Sequence, residues 1–189
     1  MSKHVVAADS WGNLAAWSYC ADATEPVWKV AGAHDGWIRA LAVSPDGKLV
    51  ATCGNDNFVK LWSAADGKLV RELKGHESHV YNVAFHPSGK SLVSFDLKAV
   101  MHDWDAATGK SLRSFDAKKD LYRYSDTFRN DHGGARSFAF NADGSQVAAG
   151  CMTAVTNTFA GIGNPAVAVI DWKEGKQKLL LGGKEKVSG

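Results

Sequence analysis

The sequence predicts an all-β fold built from tandem four-stranded antiparallel sheets. Three observations carry this reading. A set of markers recurs at one fixed interval. Between the markers, short apolar runs alternate with turn-forming residues. Helix-forming runs are scarce, while the 189 residues include 19 glycines and are 45% apolar. That is enough to bury a core in one domain of ordinary size.

The interval is 42 residues: His34 to His76, Gly47 to Gly89 and Trp62 to Trp104 all keep it. Three markers on one spacing define a tandem structural unit. Within the unit that follows His34, Ser44-Pro45-Asp46-Gly47 separates the first two apolar runs. Asn55-Asp56-Asn57 separates the second from the third, and Ala65-Asp66-Gly67 the third from the fourth. Proline fixes φ, glycine accepts positive φ, and Asx side chains bond their own backbone, so each cluster is a turn. The unit is a four-stranded antiparallel meander. One such sheet is marginal alone and must cover both faces with neighbours. Radial stacking of such sheets makes a β-propeller.

A further unit follows with interruptions. Asn141-Ala142-Asp143-Gly144 matches the first turn and Ile170-Asp171-Trp172 matches the closing tryptophan. Gly89 to Gly144 is 55 residues, 13 more than the repeat, and Gly144 to Trp172 is 28 against 15 for Gly47 to Trp62. This unit therefore carries two insertions, around 117–133 before its first strand and around 154–166 between its second and third. Upstream, residues 4–20 read as the second and third strands of an earlier unit with Trp17 at the tryptophan position, and Pro26–Val30 as its fourth. The chain divides into a partial blade (1–31), blades at 32–74, 75–116 and 117–183, and a tail at 184–189. That makes about three and a half to four blades of an open or incomplete ring, against a usual ring of about seven. A piece of a longer propeller is the expectation, with closure by pairing of copies as the alternative.

These segments resemble WD40 repeats. Ala33-His34 and Gly75-His76 stand at the Gly-His start, and Leu61-Trp62-Ser63 and Trp104-Asp105 at the Trp-Asp end, with the turns in register between them. The resemblance covers nearly the whole chain. It implies a buried hydrogen-bonded set of His34, Thr52, Asp56 and Trp62. In it, Asp56 accepts from the imidazole, the imidazole accepts from the Thr52 hydroxyl, and Thr52 accepts from the Trp62 indole. In the next unit His76, Ser94 and Trp104 are in register, but Lys98 holds the aspartate position, with Asp96 two residues early. In the last unit Ala149 aligns with Thr52 and Asp131 with His34, and His132 is one residue out of register. In the first, Trp11 stands at the aspartate position. One complete network is therefore expected, with apolar packing between blades carrying the rest. A histidine, an aspartate and a hydroxyl also make up a catalytic triad, but a triad needs a solvent-reachable nucleophile and an oxyanion hole. A structural role is the reading, and no catalytic residue is assigned.

The bulk chemistry narrows the function. A net charge of +2 and a pI near 8.4 lack the bias or basic stripe of a nucleic-acid binder. Cys20, Cys53 and Cys151 show no C-x-x-C spacing, so neither a disulfide framework nor a zinc site is expected. No histidine pair has ligand spacing on one element, and neither metal nor cofactor is assigned. The N-terminus shows no signal-peptide pattern and no apolar run could span a bilayer, so a cytoplasmic protein is expected, with no membrane partner.

The resemblance places the connection before each first strand, and that between the second and third, on one rim called the top. Both insertions fall in such connections, and long loops on a rigid scaffold are where binding concentrates. The first insertion offers Tyr122, Arg123, Tyr124, Arg129 and His132, and Tyr and Arg are common interface anchors. Tyr122 and Phe128 have an alternative role, packing the loop onto the rim. The second insertion offers Phe159 and Asn164, with Gly161 and Gly163 as either turn glycines or a nest of amides. The rim of the two regular blades adds Asp35, Trp37, Asn55 and His79, besides Glu77 and Leu97. The leading expectation is a non-catalytic scaffold that binds a protein or peptide partner through this rim. A small-molecule or enzymatic propeller using the insertion loops, and a half-propeller that closes by homo-oligomerisation, are the alternatives.

Asp56→Ala is expected to cost about 1–3 kcal/mol by stranding a buried imidazole. An unchanged melting temperature would sink the assignment.

Overall fold

The computed structural model describes residues 4–20, 24–117, 121–126, 129–157 and 162–183. Four sheets follow one another along the chain. The first comprises β1 (His4–Ala8), β2 (Leu14–Ser18) and β3 (Trp28–Val30). The second comprises β4 (Ile38–Val43), β5 (Leu49–Gly54), β6 (Val59–Ser63) and β7 (Leu69–Leu73). The third comprises β8 (Val80–Phe85), β9 (Ser91–Asp96), β10 (Val100–Asp105) and β11 (Ser111–Asp116). A two-stranded hairpin of β12 (Tyr122–Ser125) and β13 (Asn130–Gly133) precedes the fourth sheet. That sheet comprises β14 (Ser137–Phe140), β15 (Gln146–Asn157), β16 (Ile162–Asp171) and β17 (Lys176–Gly182). Each sheet is an antiparallel meander in chain order. The first strands are neighbours from sheet to sheet, β4 beside β8 and β8 beside β14, which puts them at the axis of an incomplete propeller. Among the described residues the ring is not closed.

Three cores lie between successive sheets. Leu14, Ala16, Trp28, Val50 and Trp62 fill the first gap. Ala51, Leu61, Val83, Leu92 and Trp104 fill the second, and Val93, Phe95, Met101, Val147 and Ile170 the third. Adjacent residues of one strand feed different cores. Val50 and Ala51 part in this way, as do Leu92 and Val93, because side chains alternate along a strand. Every residue of β9 is buried, and all but the first of β5, whereas β1 alternates half-buried and exposed.

Two buried polar chains run through the middle sheets. In the second sheet His34 Nδ1 lies 2.8 Å from Asp56 Oδ1 and Nε2 lies 2.7 Å from Thr52 Oγ1, and the Trp62 indole donates to Thr52 at 2.7 Å. Burial pushes the Asp56 carboxyl up. The His34 hydrogen bond and charge, with the N–H groups of Phe58 and Asp35, outweigh that and hold it below the ordinary carboxylate value.

In the third sheet His76 Nδ1 lies 2.9 Å from Asp96 Oδ2 and Nε2 lies 2.6 Å from Ser94 Oγ, and Trp104 donates to Ser94 at 2.7 Å. This corrects the expectation of a single complete network. By ladder register Asp96 stands where Gly54 stands in the preceding sheet, since Ile38 pairs with Gly54 and Val80 with Asp96. A Cβ at Gly54 would lie 3.2 Å from His34 Nδ1 and 2.5 Å from the Trp37 carbonyl. One sheet leaves that position empty and reaches in from Asp56; the other fills it with the carboxylate itself.

The fourth sheet abandons the polar chain and corrects the tryptophan alignment. Val147 pairs with Ile170 as Val50 pairs with Trp62 and Leu92 with Trp104. Ile170 therefore holds the tryptophan position. Trp172 donates its N–H to the Ser145 carbonyl, as Ala64 does to Lys48 and Ala106 to Lys90, so it is the counterpart of those alanines. There it packs on Phe140 and Phe115, at 5.0 and 5.7 Å between ring centroids. Arg113 covers it at 4.5 Å while binding Asp103 and the Lys173 carbonyl.

The insertions also differ from plain loops. The second continues the β15–β16 ladder, through Thr153 opposite Asn164 to Asn157 opposite Ile162 with an irregularity between, so most of it is a lengthened hairpin. Asn164 and Gly163 are strand residues there, not a nest or turn. The described part of the first insertion contains the β12–β13 hairpin. Leu121 is buried and Tyr122 packs against the core between the third and fourth sheets. The Tyr122 hydroxyl donates to Asp131, which with burial pushes the phenol up to about 12. Phe128, Phe159, Gly161 and the 184–189 tail lie outside the described residues.

Two outcomes are expected. Asp96→Gly should lower stability by about 1–3 kcal/mol, and adding Lys98→Asp, which copies the preceding sheet, should restore part of it in denaturant titration. His102, stacked on Trp104 and edge-on to His76 at 4.5 Å, is pushed down to about 4 by burial and then by the His76 charge. The unfolded chain therefore takes up a proton that the folded chain refuses, and stability is lost as pH falls from the ordinary histidine value towards 4. His102→Gln should remove about 1–2 kcal/mol of that loss, allowing for the ring's part-exposure.

Candidate functional site

The connections before β4 and β8 and those between β5 and β6 and between β9 and β10 lie at one end, where Gly134, just before β14, packs beside Leu97. Backbone bonds tie them in pairs: the Asn55 N–H donates to the Trp37 carbonyl at 3.0 Å, and the Leu97 N–H to the His79 carbonyl at 2.9 Å. The repeated Pro-Asp-Gly-type turns lie at the opposite end of each first strand.

The most organised feature at this end is a row of side chains that crosses three sheets. Arg39 Cζ stands 4.7 Å from the Trp37 ring and 4.8 Å from the Tyr81 ring, and Arg136 Cζ stands 5.2 Å from the same Tyr81 ring. Arg39, Tyr81 and Arg136 are equivalent, each eight residues before its turn glycine. Arg39 and Tyr81 are the unpaired residues of β-bulges at the start of β4 and β8. A bulge bends the strand and re-aims the extra side chain. Arg39 Nε donates to Asn55 Oδ1 at 2.7 Å, which leaves its terminal nitrogens free among the described residues. Asn82 Nδ2 donates to the Arg136 carbonyl at 3.0 Å, tying the third sheet to the fourth.

The structure brings some of the predicted rim residues to this row and leaves others apart. Trp37, 52% exposed, and Asn55 both touch Arg39. Asp35 is exposed beside them, and its N–H donates to Asp56 at 3.3 Å. His79 is exposed in the next sheet's connection. On the β12–β13 hairpin Arg123, Tyr124 and Arg129 are exposed, while Tyr122 is held inward. His132, expected on the rim, is buried in β13, because that strand packs inward against β15. Asn164 lies in the lengthened hairpin, and Phe159 is outside the described residues. Reading the sequence missed Arg39, Tyr81 and Arg136. The signal was their shared offset from the turn glycines, which matters only once the sheets are stacked.

The arrangement offers guanidinium forks and aromatic faces, the chemistry of recognition. Among the described residues no group of three or more His, Cys, Asp or Glu could hold a metal ion. Cys53 and Cys151 are buried free thiols that burial pushes up, and Cys20 is an exposed one.

Comparison with known proteins agrees with the repeat. The family model of the WD domain, G-beta repeat, matches residues 25–63 and 67–100. Topless-related protein 4 of Arabidopsis thaliana is 30% identical over 171 residues, covering 81% of this chain and 14% of that protein. Small ribosomal subunit protein RACK1y of Oryza sativa subsp. japonica is 31% identical over 117 residues, 62% of this chain and 32% of that protein. Nuclear distribution protein nudF of Aspergillus terreus is 36% identical over 70 residues, 37% of this chain and 16% of that protein. The chain thus spans a third or less of the length of each. With its meander sheets, its buried His–hydroxyl–Trp chains and these matches, the protein belongs to the WD40-repeat family.

Proposed function

We propose that this chain is a non-catalytic WD40 scaffold that binds a protein or peptide partner through the rim carrying Trp37, Asn55, Arg39, Tyr81 and Arg136. The observation that supports it is the Trp37–Arg39–Tyr81–Arg136 row, which presents aromatic and guanidinium groups continuously across three blades. Arginine and large aromatics dominate interface hot spots, since they bury much area and lose little freedom when already held in place. The exposed Arg123, Tyr124 and Arg129 of the hairpin extend the surface on the same side. The rice relative is by its name a protein of the small ribosomal subunit, and a place within an assembly suits such a rim. The buried free thiols suit a reducing compartment such as the cytoplasm, and no helix among the described residues is long and apolar enough to cross a membrane.

The test is affinity capture with quantitative mass spectrometry, comparing the chain with two variants of unchanged melting temperature. A rim variant carrying Trp37→Ala, Tyr81→Ala and Tyr124→Ala is expected to retain about tenfold less of its partners. A control carrying Lys48→Ala and Lys110→Ala at the opposite end is expected to match the unaltered chain. Equal retention by both variants would overturn the rim reading.

A further inference from the structure

We infer that the paired guanidiniums of Arg39 and Arg136, set about the single ring of Tyr81, form a clamp for the carboxylate side chains of an acidic peptide. This rests on the rim being the partner-binding surface, and it names the chemistry of the partner.

Arg39 and Arg136 come from the second and fourth sheets, and Tyr81 from the sheet between them. Their Cζ atoms lie 4.8 and 5.2 Å from its centroid. Two like charges near one ring repel each other, and a carboxylate bound on either fork relieves that repulsion. Among the described residues neither arginine has a carboxylate within ion-pair distance, whereas Arg113, Lys60, Lys68 and Lys178 each do. Arg39 uses only Nε, on Asn55, and neither of its terminal nitrogens donates to a described residue. Arg136 is exposed, and its side chain donates to no described residue.

Each fork matches a carboxylate in two parallel hydrogen bonds. Arg39 is already fixed by Asn55 and by the faces of Trp37 and Tyr81, so little side-chain freedom is lost on binding. Two exposed carboxylates of the same rim, Asp35 and Glu77, lie in the connections leading into β4 and β8. They select against an unbroken anionic strand and for acidic side chains spaced along a peptide. The rim's mixture of charges and the overall charge of only +2 disfavour a nucleic-acid backbone.

Fluorescence anisotropy on the full chain tests this with three fluorescein-labelled Gly-Ser peptides, carrying Glu, Gln or phosphoserine at the same spaced positions, and a labelled single-stranded oligonucleotide. The Glu peptide is expected to bind saturably and to weaken as salt is raised, while the Gln peptide does not bind. Arg39→Lys keeps the charge but loses the fork. It is expected to weaken binding several-fold, and with Arg136→Glu the loss should reach about tenfold or more. Lys110→Met, at the other end, should leave it unchanged. Arg136 is exposed, so its reversal reports on binding even where a change at Arg39 disturbs the fold. Equal binding of the Gln peptide, indifference to Arg136→Glu, or tighter binding of the phosphoserine peptide or the oligonucleotide overturns the carboxylate assignment. If captured partners still depend on the rim while the Glu peptide does not bind, this inference falls and the rim reading stands.

Discussion

Water reaches neither face of the second strand in the two middle sheets. β9 is buried throughout and β5 almost throughout, and consecutive residues pass into different cores. No sheet covers this surface alone, so each is stable only when flanked, and the stack is the unit of folding. The same burial decides the polar chemistry. Thr52 and Ser94 sit in these strands with fully buried hydroxyls, and a buried hydroxyl without a partner is costly. Indole, hydroxyl, imidazole and carboxylate therefore form a closed series in which each donor finds an acceptor.

The carboxylate of that series is supplied in two ways that are one solution geometrically. Gly54 clears the place beside His34 and Asp56 swings in from the turn, where Lys60 lies 3.5 Å from it. Asp96 occupies the equivalent place directly, and the counterpart of Lys60 is His102, a ring kept neutral by its surroundings. The fourth sheet, with Ala149 and Ile170 at the hydroxyl and indole positions, has no polar chain to complete. Its tryptophan moves two residues along and joins an aromatic cluster under Arg113. The polar series thus ties each middle sheet to the connection that leads into it, and the fourth sheet replaces it with apolar packing.

The rim inherits its order from this rigidity. Bulges at the start of β4 and β8 free one side chain per sheet from the ladder, and equivalent positions of neighbouring sheets come within van der Waals reach. Arg39 and Tyr81 meet across the axis side of the stack because the sheets beneath them cannot slide. Preorganisation of this kind is what makes exposed guanidinium groups useful for recognition, since their freedom is already spent when a partner arrives.

The 42-residue spacing, the turn residues and the marker histidines and tryptophans were legible in the chain because they are local or strictly periodic. They were enough for the all-β class, the meander order and the family. Asp96 was visible as a residue two places early, but whether its carboxylate reached His76 depended on the ladder opposite Val80, a contact the chain does not show. Trp172 was misaligned because spacing across an insertion cannot tell a longer loop from a longer hairpin, while strand pairing can. His132 reads as a rim residue in the chain, and the packing of β13 against β15 buries it. Periodicity along the chain thus settled the all-β class and the repeat of four-stranded sheets. The Arg39–Tyr81–Arg136 row was decided by the tertiary structure alone, because it depends on the distance between equivalent points of separate sheets, and that distance exists only once the sheets are stacked.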